Sequence, residues 1–203
     1  MTSKLKLFTF ILIGIFGRLA SAGSFYIGLP LGAEGVKSSD VNPSLASEGL
    51  PTITDLSNSS YGAGFGYEWD SGFRLGVKGG QTQVLDHSTG TVFANYSITR
   101  GGLNLEAPVL GGSMTFVDLG FTLGAGQSRY TIIGAAQTGV AQKIDAYLEP
   151  SLSFKYGGKS TKFFIDASFP ILAAGEFKAF GNSGVSSLAG PGPALILGFL
   201  IYL

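Results

Sequence analysis

The sequence predicts an all-β protein: an eight-stranded antiparallel up-and-down transmembrane β-barrel behind a cleaved signal peptide. Three observations predict it. Apolar residues recur at every second position in segment after segment, the period of a strand with two unlike faces. One face is long, apolar and aromatic-ended, while the other is glycine with scattered charge. The connections alternate between short turns and longer loops, as they do when a barrel's two ends differ.

Composition agrees. The 203 residues include 32 Gly, 16 Phe, 8 Tyr and no Cys, and charged residues make up 13 %. That is roughly half the ~25 % of an ordinary soluble domain. Thirteen basic groups cancel thirteen acidic ones, which argues against nucleic acid as a partner. The absence of Cys excludes disulfides, thiolate zinc sites and a cysteine nucleophile.

Residues 1–22 read as a secretory signal. Lys4 and Lys6 form the basic start, Leu7 to Phe16 the apolar stretch, and Ala20-Ser21-Ala22 the cleavage site. As a membrane anchor the stretch is too short, since a spanning helix takes about 20 residues. The domain 23–203 then holds 10 basic and 13 acidic groups, because Lys4, Lys6 and Arg18 leave with the signal.

The first strand is expected at 24–32, with Phe25, Ile27, Leu29 and Leu31 on one face. At 61–69, Tyr61, Ala63, Phe65, Tyr67 and Trp69 oppose Gly62, Gly64, Gly66 and Glu68. At 73–83, Phe73, Leu75 and Val77 alternate with Arg74, Gly76, Lys78 and Gly80. The fourth strand, 92–105, starts on Val92, Ala94, Tyr96 and Ile98 and changes parity to Leu103 and Leu105. Gly101-Gly102 is the expected site of a β-bulge there. The fifth, 115–130, sets Val117, Leu119, Phe121 and Leu123 against Asp118, Gly120, Thr122 and Gly124. The sixth, 142–156, sets Ile144, Leu148, Leu152, Phe154 and Tyr156 against Lys143, Asp145, Tyr147, Glu149 and Lys155. Phe163, Ile165, Ala167 and Phe169 against Asp166 and Ser168 mark 163–171; Leu195, Leu197, Phe199 and Ile201 mark 193–203. Long connections fall at 33–60 and 173–192, medium ones at 85–91 and 132–139, and short ones at 70–72, 107–112 and 157–160.

A soluble sandwich also alternates, but its solvent face would be dense in Lys, Glu, Thr and Gln. Here that face is largely glycine, which weakens a strand unless something must approach it closely. Lipid accounts for the apolar face and a narrow interior for the glycine and charge. Tyr61 and Trp69 are eight residues apart. At ~3.3 Å per residue and ~40° tilt they stand roughly 20 Å apart along the normal, near the ~25 Å apolar band.

On these features the chain resembles the small eight-stranded outer-membrane barrels of the OmpA-barrel and OmpX type. The resemblance covers nearly all of 23–203 and rests on architecture. One departure is the terminus, Phe199-Leu200-Ile201-Tyr202-Leu203, where the family usually ends in an aromatic residue. The resemblance implies a bacterial outer-membrane protein, inserted by the outer-membrane assembly machinery and surrounded by lipid and lipopolysaccharide. A monomer is expected.

A hairpin through Asp70-Ser71-Gly72 places Glu68 opposite Arg74 and Lys78 opposite Gly64. Glu68, Asp118, Asp145, Glu149 and Asp166 against Arg74, Lys78, Lys143 and Lys155 form the expected lumen charge network. Tyr61, Tyr67, Trp69, Phe73, Phe154, Tyr156 and Phe163 are the expected membrane-interface aromatics. Eight strands leave an interior that side chains fill. The inward glycines either make room for Phe93, Tyr147 and the long Lys and Arg chains or leave a narrow wet path.

No catalytic, cofactor or metal site is expected. His87 is the single histidine, and adjacent Asp86-His87-Ser88 cannot converge as a triad. Asp40, Glu48 and Asp55 are at most a weak Ca²⁺ set. The leading expectation is a structural or interaction barrel whose loops 33–60 and 173–192 face lipopolysaccharide, a surface ligand, a host or a neighbouring cell. A narrow passive channel or lipophilic-solute conduit is the alternative, and an outer-membrane lipid hydrolase the third reading.

Overall fold

The computed structural model describes residues 22–36, 38, 41–53, 58–134, 138–181 and 188–203, with backbone alone for 172–175. The signal reading, apart from Ala22, lies outside the described residues, as do Asp40 and Asp55.

The strands are β1 (Gly23–Val36), β2 (Asn58–Trp69), β3 (Arg74–Thr89), β4 (Val92–Gly111), β5 (Thr115–Ile133), β6 (Thr138–Gly157), β7 (Thr161–Ser168), β8 (Ile171–Gly181) and β9 (Pro191–Tyr202). β1 to β6 pair antiparallel in chain order, β7 pairs with β6 and β9, β8 pairs with β6, and β9 pairs with β1 from Tyr26↔Tyr202 to Val36↔Pro191, closing the barrel. Closure leaves no edge in lipid over this seam. Eight staves result, because β7 and β8 are one stave: β6 pairs with β7 through 151–157 and with β8 through 139–148. The break falls at Phe169-Pro170, where proline has no N–H to offer the ladder.

The first hairpin has the expected register, with Glu68↔Arg74 and Gly64↔Lys78. Gly72 closes its turn at φ 80°, a conformation cheap only for glycine, and donates its N–H to Trp69 O at 2.7 Å. Three expectations are corrected. Residues 173–181 are strand rather than loop. β3, β5 and β6 run past their expected limits on the side away from the short turns, so that only Gly90-Thr91 joins β3 to β4, while β4 starts at Val92 as expected and lengthens at its other end to Gly111. No bulge occurs at Gly101-Gly102; β4 shifts register opposite β3 at Gln83/Leu85 and opposite β5 at Pro108/Leu110.

The third correction follows from the second. With parity unbroken, Ala94, Tyr96 and Ile98 face inward and are fully buried, while Phe93 faces out. Their apolar partners come from the expected long loop. A short helix, α1 (Asn42–Ser47), starts on Pro43 and turns Leu45 inward, and Val41, Leu50 and Ile53 join Leu45 in the same apolar packing. Asn42 holds the segment folded: its amide donates to Ile53 O at 3.0 Å and its oxygen accepts from Ile53 N–H at 2.9 Å. The described part of 33–60 is therefore a cap on the barrel rather than an exposed loop. Leu45→Asp buries a carboxylate among Tyr96, Tyr130 and Ile132. Limited proteolysis should then cut 41–53 in the variant while sparing it in the parent.

Candidate functional site

Below the cap, the inward side chains of the strands meet in three tiers. At the short-turn mouth, Glu68 accepts from Lys162 Nζ at 2.5 Å and from Tyr202 O–H at 2.6 Å. Lys162 also stands 4.6 Å from the Phe116 ring and 4.8 Å from that of Tyr202, so β2, β5, β7 and β9 are tied across the opening.

The middle tier is the most buried. Arg74 and Lys155 each pair with both Glu106 and Asp118, and Lys155 Nζ is 2.5 Å from Glu106. Asn104 donates to Glu106 at 2.7 Å and accepts from Thr122 O–H at 2.9 Å, while Arg74 lies 5.4 Å from the Tyr26 ring. Such a cluster holds only while every charge has its partner.

In the upper tier Glu149 bridges Lys78 at 3.1 Å and Arg100 at 3.0 Å. Arg100 reaches on to Glu34 at 3.0 Å, and Thr82 donates to Glu34. Asp166 accepts from Ser153 O–H. Lys143 pairs with buried Asp145 at 3.3 Å just beneath the cap. All nine expected charges thus project into the lumen, but their pairing differs. Glu68 lies 3.8 Å from Arg74 Nε and is engaged by Lys162, so a double-mutant cycle should find stronger coupling for Glu68–Lys162 than for Glu68–Arg74. The difference should lie within the ~0.5–3 kcal/mol span of coupled neighbours.

Glu34, Arg100, Glu106 and Lys162 were not anticipated. Arg100 sits at the supposed parity change, Glu106 and Lys162 one residue outside their expected strands, and Glu34 two residues outside its own. Extending each alternation by one step would have found the last three.

The glycines mostly make room. A Cβ on Gly66 or Gly76 would stand 2.7 or 2.6 Å from the Tyr26 hydroxyl, and one on Gly198 would meet Phe164 at 2.5 Å. Small cavities of about 60 Å³ lie in the lumen on either side of Lys78 and Asp166, which border both. Each has space for about two waters.

Above the tiers, Val41, Leu45, Leu50, Ile53 and Leu188 pack on Ala94, Tyr96, Tyr130, Ile132 and Ala141. Tyr96 O–H and Ser128 O–H both donate to Ala189 O, at 2.7 and 2.5 Å. The only histidine lies outside this packing, its Nε2 2.9 Å from Thr89 Oγ1 on the β3–β4 hairpin. A groove of about 520 Å³ separates that hairpin from Glu48, Gly49 and Pro51.

Of the expected interface aromatics, Tyr67, Trp69 and Phe73 form one contiguous run, with ring centroids 5.0 and 5.4 Å apart. Phe163 packs edge-on to Phe199 at 5.6 Å. Phe154 and Tyr156 are exposed on the outward face of β6. Tyr61 stands near the opposite end of its strand and donates to Gln81 at 3.1 Å.

No family model and no curated protein matches the chain in sequence. Solved structures do match in fold. Neisserial surface protein A aligns at TM-score 0.63 and 12 % identity over 90 % of this chain and 100 % of its own. A major outer membrane protein from Thermus thermophilus aligns at 0.59 and 8 %, with the same coverage. The attachment invasion locus protein Ail of Yersinia pestis, in complex with the heparin analogue sucrose octasulfate, aligns at 0.50 and 14 % over 89 % of this chain and 97 % of its own. What this chain shares with them is the barrel fold.

Proposed function

We propose that this small outer-membrane β-barrel works through the surface that it presents outside the cell, and not through its lumen. The observation that carries the reading is the filled interior: charged tiers below and an apolar cap above. The face left for interaction is the groove between the β3–β4 hairpin and residues 48–51. A surface ligand, a host or a neighbouring cell is the proposed partner. A barrel of similar fold, the Yersinia pestis protein, is seen in complex with a heparin analogue, which supports a surface ligand. The cavities flanking Lys78 favour a second reading, a narrow passive channel that opens when the upper tier parts.

Cells lacking the protein distinguish the two. If the proposal holds, adhesion defects are restored by a Lys78→Met variant but not by one whose 86–91 segment is replaced with Gly and Ser. Restoration by the hairpin variant and not by Lys78→Met would overturn it.

A further inference from the structure

The outward face has two unlike borders. At the periplasmic ends of the strands it is aromatic, with Tyr67, Trp69, Phe154, Tyr156 and Phe163. Toward the extracellular ends it carries amides, hydroxyls and bases. Register sets Gln81, Thr99 and Gln127 side by side on β3, β4 and β5. The next outward row sets Arg129 beside Gln142 and Gln142 beside Lys178. Gln127 donates to Gln142 at 3.2 Å, and Lys178 pairs with Glu176 at 2.9 Å. Arg129 is exposed, with no acidic partner among the described residues.

Next to this border lies a shallow, open apolar groove, lined by Ile27, Ala63, Phe65, Gly79, Gly101 and Leu103. One of its glycines, Gly101, differs from interior Gly102. A Cβ on inward Gly102 would stand 2.8 Å from Gly124 Cα, so the barrel itself requires glycine there. A Cβ on outward Gly101 would meet nothing closer than 3.5 Å. A side chain fits at Gly101, and the barrel's own packing does not explain why the groove is open.

We propose that this face binds one phosphorylated glycolipid of the outer leaflet. An acyl chain lies in the groove, and sugar hydroxyls meet Thr99, Gln127 and Gln142, whose groups both donate and accept. Arg129 takes the phosphate, for which its planar fork of donors is suited. A simple phospholipid satisfies the groove and the base but leaves the amides unmatched. The inference rests on which end of the barrel faces outward and is independent of the surface role proposed above.

Native mass spectrometry of the detergent-purified barrel tests it, with bis-phosphorylated lipid A and phosphatidylglycerol as probes at equal phosphate. One lipid A adduct should survive at concentrations where phosphatidylglycerol is lost. Arg129→Ala with Gln142→Ala, and separately Gly101→Leu, should each weaken its retention about tenfold, equivalent to ~1.4 kcal/mol. Each variant is scored on its folded, heat-modifiable form. Equal retention of phosphatidylglycerol, or undiminished lipid A retention by both variants, would overturn the proposal.

Discussion

Replacing Lys155 with Met should destabilise the barrel by about 3–5 kcal/mol, the usual result of removing one partner from a buried ion cluster. Lys155 is fully buried on β6 and pairs with both Glu106 and Asp118. Met keeps most of the side-chain volume, so the loss measures charge and not packing. With Lys155 gone, Arg74 alone faces two buried carboxylates. Urea unfolding in lipid vesicles, followed by heat-modifiable migration, reads the change. Adding Asp118→Asn removes the surplus charge and should recover part of it. A Lys155→Met barrel as stable as the parent would mean that the middle tier is hydrated.

Leu148→Arg should cost about 2–4 kcal/mol if that side chain sits near the bilayer midplane. Leu148 faces outward between Leu123 and Ile171, within the apolar run from Ile144 to Tyr156 on β6. Gln142→Arg, six residues along the same strand and face, should cost only ~0–1 kcal/mol, because charge near the interface is tolerated. The same unfolding assay compares them. Equal costs would contradict the assignment of the apolar belt.

Much of this was legible because a barrel writes its two faces at period two. Phe65 against Gly64 and Gly66, or Leu148 against Tyr147 and Glu149, has one consistent reading once lipid is the outer solvent. The register of the first hairpin followed from Asp70-Ser71-Gly72, since a short turn fixes which residues oppose. The capped end was not legible for the same reason. Ala94, Tyr96 and Ile98 are apolar because they pack inside the capped end, not because they face lipid, and an apolar side chain does not say which apolar partner it meets. The parity change inferred at Gly101-Gly102 was this change of interior, read as a change of face. Likewise β8 reads as loop because a proline, Pro170, interrupts the stave while β6 continues to pair on the far side.

The pairing within the lumen was beyond pattern reading on different grounds. Directly opposed residues are predictable, but Lys162 reaches Glu68 across the barrel, 94 positions away in sequence. Strand tilt and the space left by Gly66 and Gly76 for Tyr26 decide such contacts, and both are properties of the closed barrel.

Conductance in planar bilayers tests the central claim, that the lumen is closed by its charged tiers and apolar cap. The refolded parent protein should leave the bilayer at its lipid baseline across a voltage ramp. A steady current that scales with voltage and with protein added would contradict it.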